Sequence, residues 1–78
     1  MENKLKEIFS EILEVEEDEL HDNFGPEHSP LWDSMNNLRL ITAIEEEFTI
    51  QFSMGKIGTM TNFGKVKAVL SLHLENIT

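Results

Sequence analysis

Residues 31–48 read Leu31-Trp32-Asp33-Ser34-Met35-Asn36-Asn37-Leu38-Arg39-Leu40-Ile41-Thr42-Ala43-Ile44-Glu45-Glu46-Glu47-Phe48. Met35, Leu38, Ile41, Ile44 and Phe48 recur at steps of three or four, the spacing of one helix face. Leu40 and Ala43 widen that face, so this stretch predicts the most buried helix of the molecule. Asp33 stands directly before the periodic run, where a short acceptor side chain caps the first free N–H groups. Glu45 to Glu47 fall at the carboxyl end and oppose the helix dipole. Solvation or contact with a partner is their expected use.

On the amino-terminal side lies a long irregular stretch. Residues 16–33 hold two prolines, Gly25 and the acidic run Glu16 to Glu19, with only Leu20, Phe24, Leu31 and Trp32 as apolar anchors. A loop this long is unusual in a small domain and tends to serve function; one short helical turn is expected near Asp18. Before it, Leu5, Ile8, Phe9, Ile12 and Leu13 predict an amphipathic helix from about Glu2 to Val15, with Asn3 as a candidate N-cap. After the central helix, Thr49–Phe52 is expected to run extended. Residues 53–58 contain two glycines, each costing a helix roughly 1 kcal/mol relative to alanine, so only a short, weak helix is expected there. A last helix is expected after Thr61 as its cap, with Phe63, Val66, Val69, Leu70 and Leu74 inward and Lys65 and Lys67 solvated. The expected fold is an all-α bundle: three main helices, one short weak one, and a long loop between the first and second main helices.

The chain has 78 residues, enough for one domain over 1–78 with a single small core. It carries 15 acids against 6 bases, a formal net charge of −9. Nucleic acid and anionic membrane are poor partners for that charge, and basic proteins are natural ones. The excess is local: residues 1–33 hold eleven acids and two lysines, whereas residues 34–78 hold four acids and four bases. There is no cysteine, which excludes disulfides and thiolate metal sites. No apolar run reaches the ~18 residues of a membrane span, and the first twenty residues are too charged for a signal peptide. A cytoplasmic monomer without membrane insertion is the expectation.

Ser34 is the residue to weigh for chemistry. It falls in the first turn of the central helix, where free N–H groups and the positive dipole end suit a phosphate ester on its hydroxyl. Asp33 can cap the helix and also offer a carboxylate to a partner's metal or base. The plainer alternative is that Asp33-Ser34 is simply a common capping pair. No Gly-x-Ser-x-Gly elbow surrounds Ser34, and no base is evident for it, so no catalytic residue is assigned. His21, Asp22 and His28 lack helical ligand spacing, and no metal site is expected. Trp32 either packs the loop on the bundle or anchors a partner. Met54 and Ile57 are either core or contact residues. Met35 and Leu38, beside Ser34, are candidates for a partner-contact face.

Two motifs together carry a resemblance. Asp33-Ser34-Met35, followed about ten residues on by Ala43-Ile44-Glu45-Glu46-Glu47-Phe48, resembles the acyl carrier proteins of the phosphopantetheine-binding family. The likeness runs without a gap from about Leu5 to Leu74. It implies that a phosphopantetheinyl transferase attaches 4′-phosphopantetheine, taken from coenzyme A, to Ser34. The arm then holds acyl groups as thioesters and presents them to acyl-loading and acyl-processing enzymes. The protein itself would be a carrier and not an enzyme.

The chain departs from the family's fatty-acid members at several positions. Leu31 stands where many carriers have glycine. Asn36 and Arg39 replace acids on the second helix, and Met54-Gly55-Lys56-Ile57-Gly58 replaces an acidic third helix. These departures imply a dedicated carrier in a specialised lipid, polyketide or related pathway. A peptidyl or D-alanyl carrier, or an unmodified acidic interaction module of the same fold, are the alternatives.

Overall fold

Helix α1 runs from Glu2 to Leu13, α2 from Ser34 to Phe48, α3 from Met54 to Thr59 and α4 from Phe63 to Glu75. This is the all-α architecture expected, in a computed structural model that describes residues 1–75. Two 3₁₀ turns, Glu17–Glu19 and Pro26–His28, punctuate the long connection between α1 and α2. The first is the turn anticipated near Asp18. There Glu19 Oε2 accepts the Glu16 N–H at 2.9 Å, so one acid of the acidic run serves as a local cap.

The α1 boundaries differ from the sequence reading. Met1 occupies the N-cap position and Asn3 lies inside the helix. The helix stops at Leu13 because Glu14 turns into the left-handed region, with φ 56°. Ser10 Oγ then donates to the Val15 carbonyl at 2.6 Å, folding the exit back on the last turn. At the other end of the chain, Asn62 rather than Thr61 caps α4: its Oδ1 accepts the Lys65 N–H at 2.8 Å.

One core unites α1, α2, α4 and the loop, with α3 adding only the half-buried Ile57. Leu5, Phe9 and Leu13 of α1 meet Leu40, Ile41 and Ile44 of α2 and Phe63, Val66, Val69 and Leu70 of α4, with Phe52 and Met60 closing the ends. The inward face of α2 is therefore narrower than its periodicity suggests. Met35 and Leu38 continue the apolar spacing but lie exposed, because at 3.6 residues per turn they rotate away from Leu40 and Ile44 toward Arg39, Thr42 and Glu46. Thr49 takes a left-handed cap, φ 55°, and residues 50–53 run without regular structure. Here Glu45 finds its use: its carboxylate accepts the Phe52 N–H at 2.8 Å, tying the α2–α3 connection to the end of α2. Glu47 reaches Lys4 at 4.0 Å.

The long loop is fastened at both faces. Leu20, Phe24 and Trp32 insert into the core. Phe9 meets the Trp32 ring edge-on at 5.3 Å, and Phe24 stacks on Trp32 at 6.0 Å. The loop backbone also uses the free amino-terminal N–H groups of α4. Phe63 N–H donates to the Phe24 carbonyl at 2.8 Å and Gly64 N–H to the Asp22 carbonyl at 2.9 Å. This satisfies two of the donors that every helix start leaves open. Gly64 is required for the approach: a Cβ there would lie 2.8 Å from the Asp22 oxygen. Lys67 is not simply solvated. Its Nζ binds Asp22 Oδ1 at 2.9 Å, approaches Glu2 at 3.7 Å and lies over the Phe63 ring. The hydrogen bond from Lys67 holds the Asp22 carboxyl below the usual aspartate range, and the same bond raises Lys67.

Candidate functional site: the loop–helix junction at Ser34

The junction is built from the backbone outward. Asp33 is extended, with φ −106° and ψ −176°, and Ser34 is the first helical residue of α2. Asp33 Oδ1 accepts the Asn36 N–H at 2.9 Å, and its carbonyl accepts the Asn37 N–H at 2.8 Å. Asp33 is thus the N-cap expected from its position. Among the described residues the N–H groups of Ser34 and Met35 have no acceptor at the positive end of the helix.

Two asparagines lock this geometry. Asn36 Nδ2 donates to the Leu31 carbonyl at 2.6 Å, and Asn37 Oδ1 accepts the Trp32 indole N–H at 2.9 Å. Leu31 and Trp32 are therefore held from the side of the helix that follows them. A buried indole needs an acceptor for its N–H, and an amide one turn into the next helix supplies it. Sequence reasoning registered Asn36 only as a departure and did not assign Asn37. The available signal was the tryptophan itself, whose N–H had to find a partner close by.

Ser34 is exposed, and among the described residues its hydroxyl has no hydrogen-bond partner. It stands at the rim of a groove of about 490 Å³ between the start of α2 and the end of α3. Trp32 and Asn37 line the near wall, Ile57, Gly58 and Met60 the far one. The groove is mostly apolar, and α3, which forms its far wall, is six residues long with no fully buried side chain. Ser53 caps α3 through a 3.2 Å bond from the Lys56 N–H.

The sequence-predicted residues divide clearly. Asp33 and Ser34 meet at the junction, and Ile57 faces them across the groove, half-buried against the core. Met35 and Leu38 stand outward on α2, 66% and 63% exposed, and Met54 at the start of α3 is 87% exposed. Trp32 is the one that packs inward. At 5% exposure it packs the loop against α1, the first of its two alternatives, and what surface it keeps lies at the groove wall. Asp22, His21 and His28 have local partners of their own. Asp22 is bound to Lys67, the His21 ring lies edge-on to Phe24, and His28 Nδ1 accepts the Gly25 N–H at 3.2 Å.

Chemically, the junction presents a hydroxyl without a base. No titratable side chain other than Asp33 shares the groove rim with Ser34, and Asp33 is engaged in capping. Such a serine can be modified by another protein's catalytic groups but has nothing of its own to activate it. No known family model matches this chain, and no curated protein matches it either. Among the described residues, no helix is long and apolar enough to cross a membrane.

Proposed function

We propose that this protein is an acyl carrier, holding acyl intermediates as thioesters on a 4′-phosphopantetheine arm joined to Ser34. One observation carries the reading. The serine singled out by the paired motifs is exposed, unbonded and fixed at a capped helix start, beside an apolar groove. The residues present suit the group. The open N–H groups of Ser34 and Met35 favour a phosphodiester on Ser34 Oγ. The groove offers an apolar surface within reach of whatever the arm carries.

The division of labour follows from the site. Ser34 provides the attacking hydroxyl, Asp33 holds the helix start in place with one carboxylate oxygen, and Asn36 and Asn37 keep the loop from moving the serine. A phosphopantetheinyl transferase would bring the base that takes the hydroxyl proton and the coenzyme A whose pyrophosphate bond breaks, the arm's phosphate passing to Ser34 Oγ and 3′,5′-adenosine bisphosphate leaving. When bound, the arm supplies the only thiol, since the chain has no cysteine to compete for the acyl group. The neutral second half of the chain favours a specialised lipid, polyketide or related pathway over general fatty-acid synthesis.

The test is co-expression with a broad-specificity phosphopantetheinyl transferase followed by intact-mass measurement. The wild type gains one arm, and Ser34→Ala gains none. A wild type that stays unmodified refutes the reading and leaves an unmodified interaction module; an arm that survives Ser34→Ala refutes Ser34 as its point of attachment.

A further inference from the structure

The turn Pro26–His28 is closed by a side chain of the type that changes charge in mild acid. Gly25 precedes the turn and is buried, and the only acceptor of its N–H among the described residues is His28 Nδ1, at 3.2 Å. A backbone N–H can only donate, so Nδ1 carries no proton and the His28 ring is neutral, with its hydrogen on Nε2. Two titratable side chains face that ring. Glu27 Oε1 lies 3.7 Å from Nδ1, and the His21 ring stands edge-on at 5.8 Å. Asp22, beside His21, is answered by Lys67 from α4. The turn is joined to the Ser34 junction in two ways. His28 stacks on Phe24, and Phe24 stacks on Trp32. In the backbone, Ser29 N–H donates to the Pro26 carbonyl and Trp32 N–H to the Ser29 carbonyl. Pro26 itself lines the groove beside Ser34.

We propose that the Gly25–His28 turn is a proton-operated latch on the groove wall: neutral His28 holds the Gly25 amide, and charged His28 releases it and turns Nδ1–H to Glu27. Nδ1 takes one proton from solvent, its lone pair is used, and it becomes a donor facing another donor. The Glu27 carboxylate is the acceptor at hand. It already lies against Gly25, since a Cβ on that glycine would stand 3.0 Å from Glu27 Oε2. Glu27 favours the charged ring, and His21 opposes it when it too is charged. The released Gly25 N–H belongs to a buried residue and cannot turn to water where it stands, so the turn must shift. Pro26 shifts with it, and so, through the stacked rings, does Trp32. The latch needs no arm on Ser34.

Amide exchange and proton–nitrogen spectra of the unmodified full chain, recorded from about pH 8 to about pH 5, test the latch. Exchange protection of Gly25 should fall roughly tenfold, the loss of one hydrogen bond, with the same midpoint as the His28 ring signals. The Trp32 indole N–H signal should move at that midpoint. His28→Gln places an uncharged acceptor at the third position of the turn, as in a capping box, and should keep Gly25 protected across the range. His28→Ala should leave Gly25 unprotected throughout. His21→Gln removes a like charge, so the step should persist and move to higher pH. Gly25 protection that does not change with pH, a step that follows the His21 signals instead of those of His28, or a step that persists in His28→Gln overturns the inference. Where a variant does not fold, the wild-type midpoints alone decide.

Discussion

The same substitution, glycine to alanine, should have opposite signs at two places in this molecule. At Gly58 in α3 an added Cβ meets nothing within 4 Å, and no glycine of the chain needs a positive φ. Alanine there removes conformational freedom from the unfolded chain and should stabilise by about 0.5–1 kcal/mol. At Gly64 in α4 the same helical gain is available. The new Cβ, however, would lie 2.8 Å from the Asp22 carbonyl oxygen, 2.9 Å from its Cβ and 3.1 Å from its Cα. Two of these atoms are backbone, so the loop itself must move. That movement lengthens the 2.9 Å bond from Gly64 N–H to the Asp22 carbonyl and strains the neighbouring bond to the Phe24 carbonyl. Overpacking typically costs about 1–3 kcal/mol, and a weakened hydrogen bond adds about 1 kcal/mol. The cost exceeds the helical gain, leaving Gly64→Ala destabilised by about 1–3 kcal/mol. For a domain of this length each 1 kcal/mol moves Tm by about 4–8 °C. Thermal unfolding followed by circular dichroism and by the fluorescence of the single tryptophan, Trp32, should therefore show Tm rising a few degrees for Gly58→Ala. Gly64→Ala should fall by about 5–20 °C. If Gly64→Ala is as stable as Gly58→Ala, the loop is not clamped on α4 and the account of how Ser34 is positioned fails.

Trp32→Phe and Asn37→Ala should each destabilise the fold, and a double-mutant cycle should show a coupling of about 1 kcal/mol for the indole–amide bond; additive losses would mean that the bond holds nothing. Asp22 is stabilised as a carboxylate by Lys67, so its contribution is present above the ordinary aspartate pKa of about 3.9 and is lost as pH falls through the lower folded value. Lys67 is raised, so its contribution is present below about 10.4 and is lost as pH rises through the higher folded value. Urea unfolding of Asp22→Asn across pH should accordingly lose part of the wild type's acid-limb dependence, and an unchanged slope would exclude the pair as its source. Met35→Glu should slow arm loading with helicity unchanged, since Met35 is exposed; equal loading rates would make Met35 a bystander. Amide exchange in α3 should be faster than in α2, because α3 has six residues, two glycines and no buried side chain. Equal protection would mean that the groove's far wall is rigid.

Much of the site was legible because its signals are local. A capping aspartate before a periodic apolar run states where a helix begins, and the serine after it must then lie in the first turn. The spacing of Leu40, Ile41 and Ile44, and of Phe63, Val66 and Leu70, likewise reports buried faces without knowledge of what they meet. The misreadings occurred where the deciding partner is distant or ambiguous. Steps of three and four assigned Met35 and Leu38 to the same face as Ile41, but steps of three drift around the helix, and which edge of that broad stripe is covered depends on how the other helices pack. Lys67 looked solvated because Asp22 is 45 residues away in sequence. Glu45 looked unfavourable at a helix end until the turn after it brought the Phe52 N–H to its carboxylate.

The sequence by itself determined the helices, their order, the weak third one and the candidate serine at a loop–helix junction, because propensity, capping and period are properties of neighbours along the chain. Only the tertiary structure decided what holds that junction. Trp32 is drawn into the core by Phe9 and Phe24, its N–H is satisfied by Asn37, and the loop behind it is hung on the open amino-terminal N–H groups of α4. Aromatic burial and unpaired backbone donors can each be met by many partners in a sequence, and the three-dimensional arrangement is what selects one.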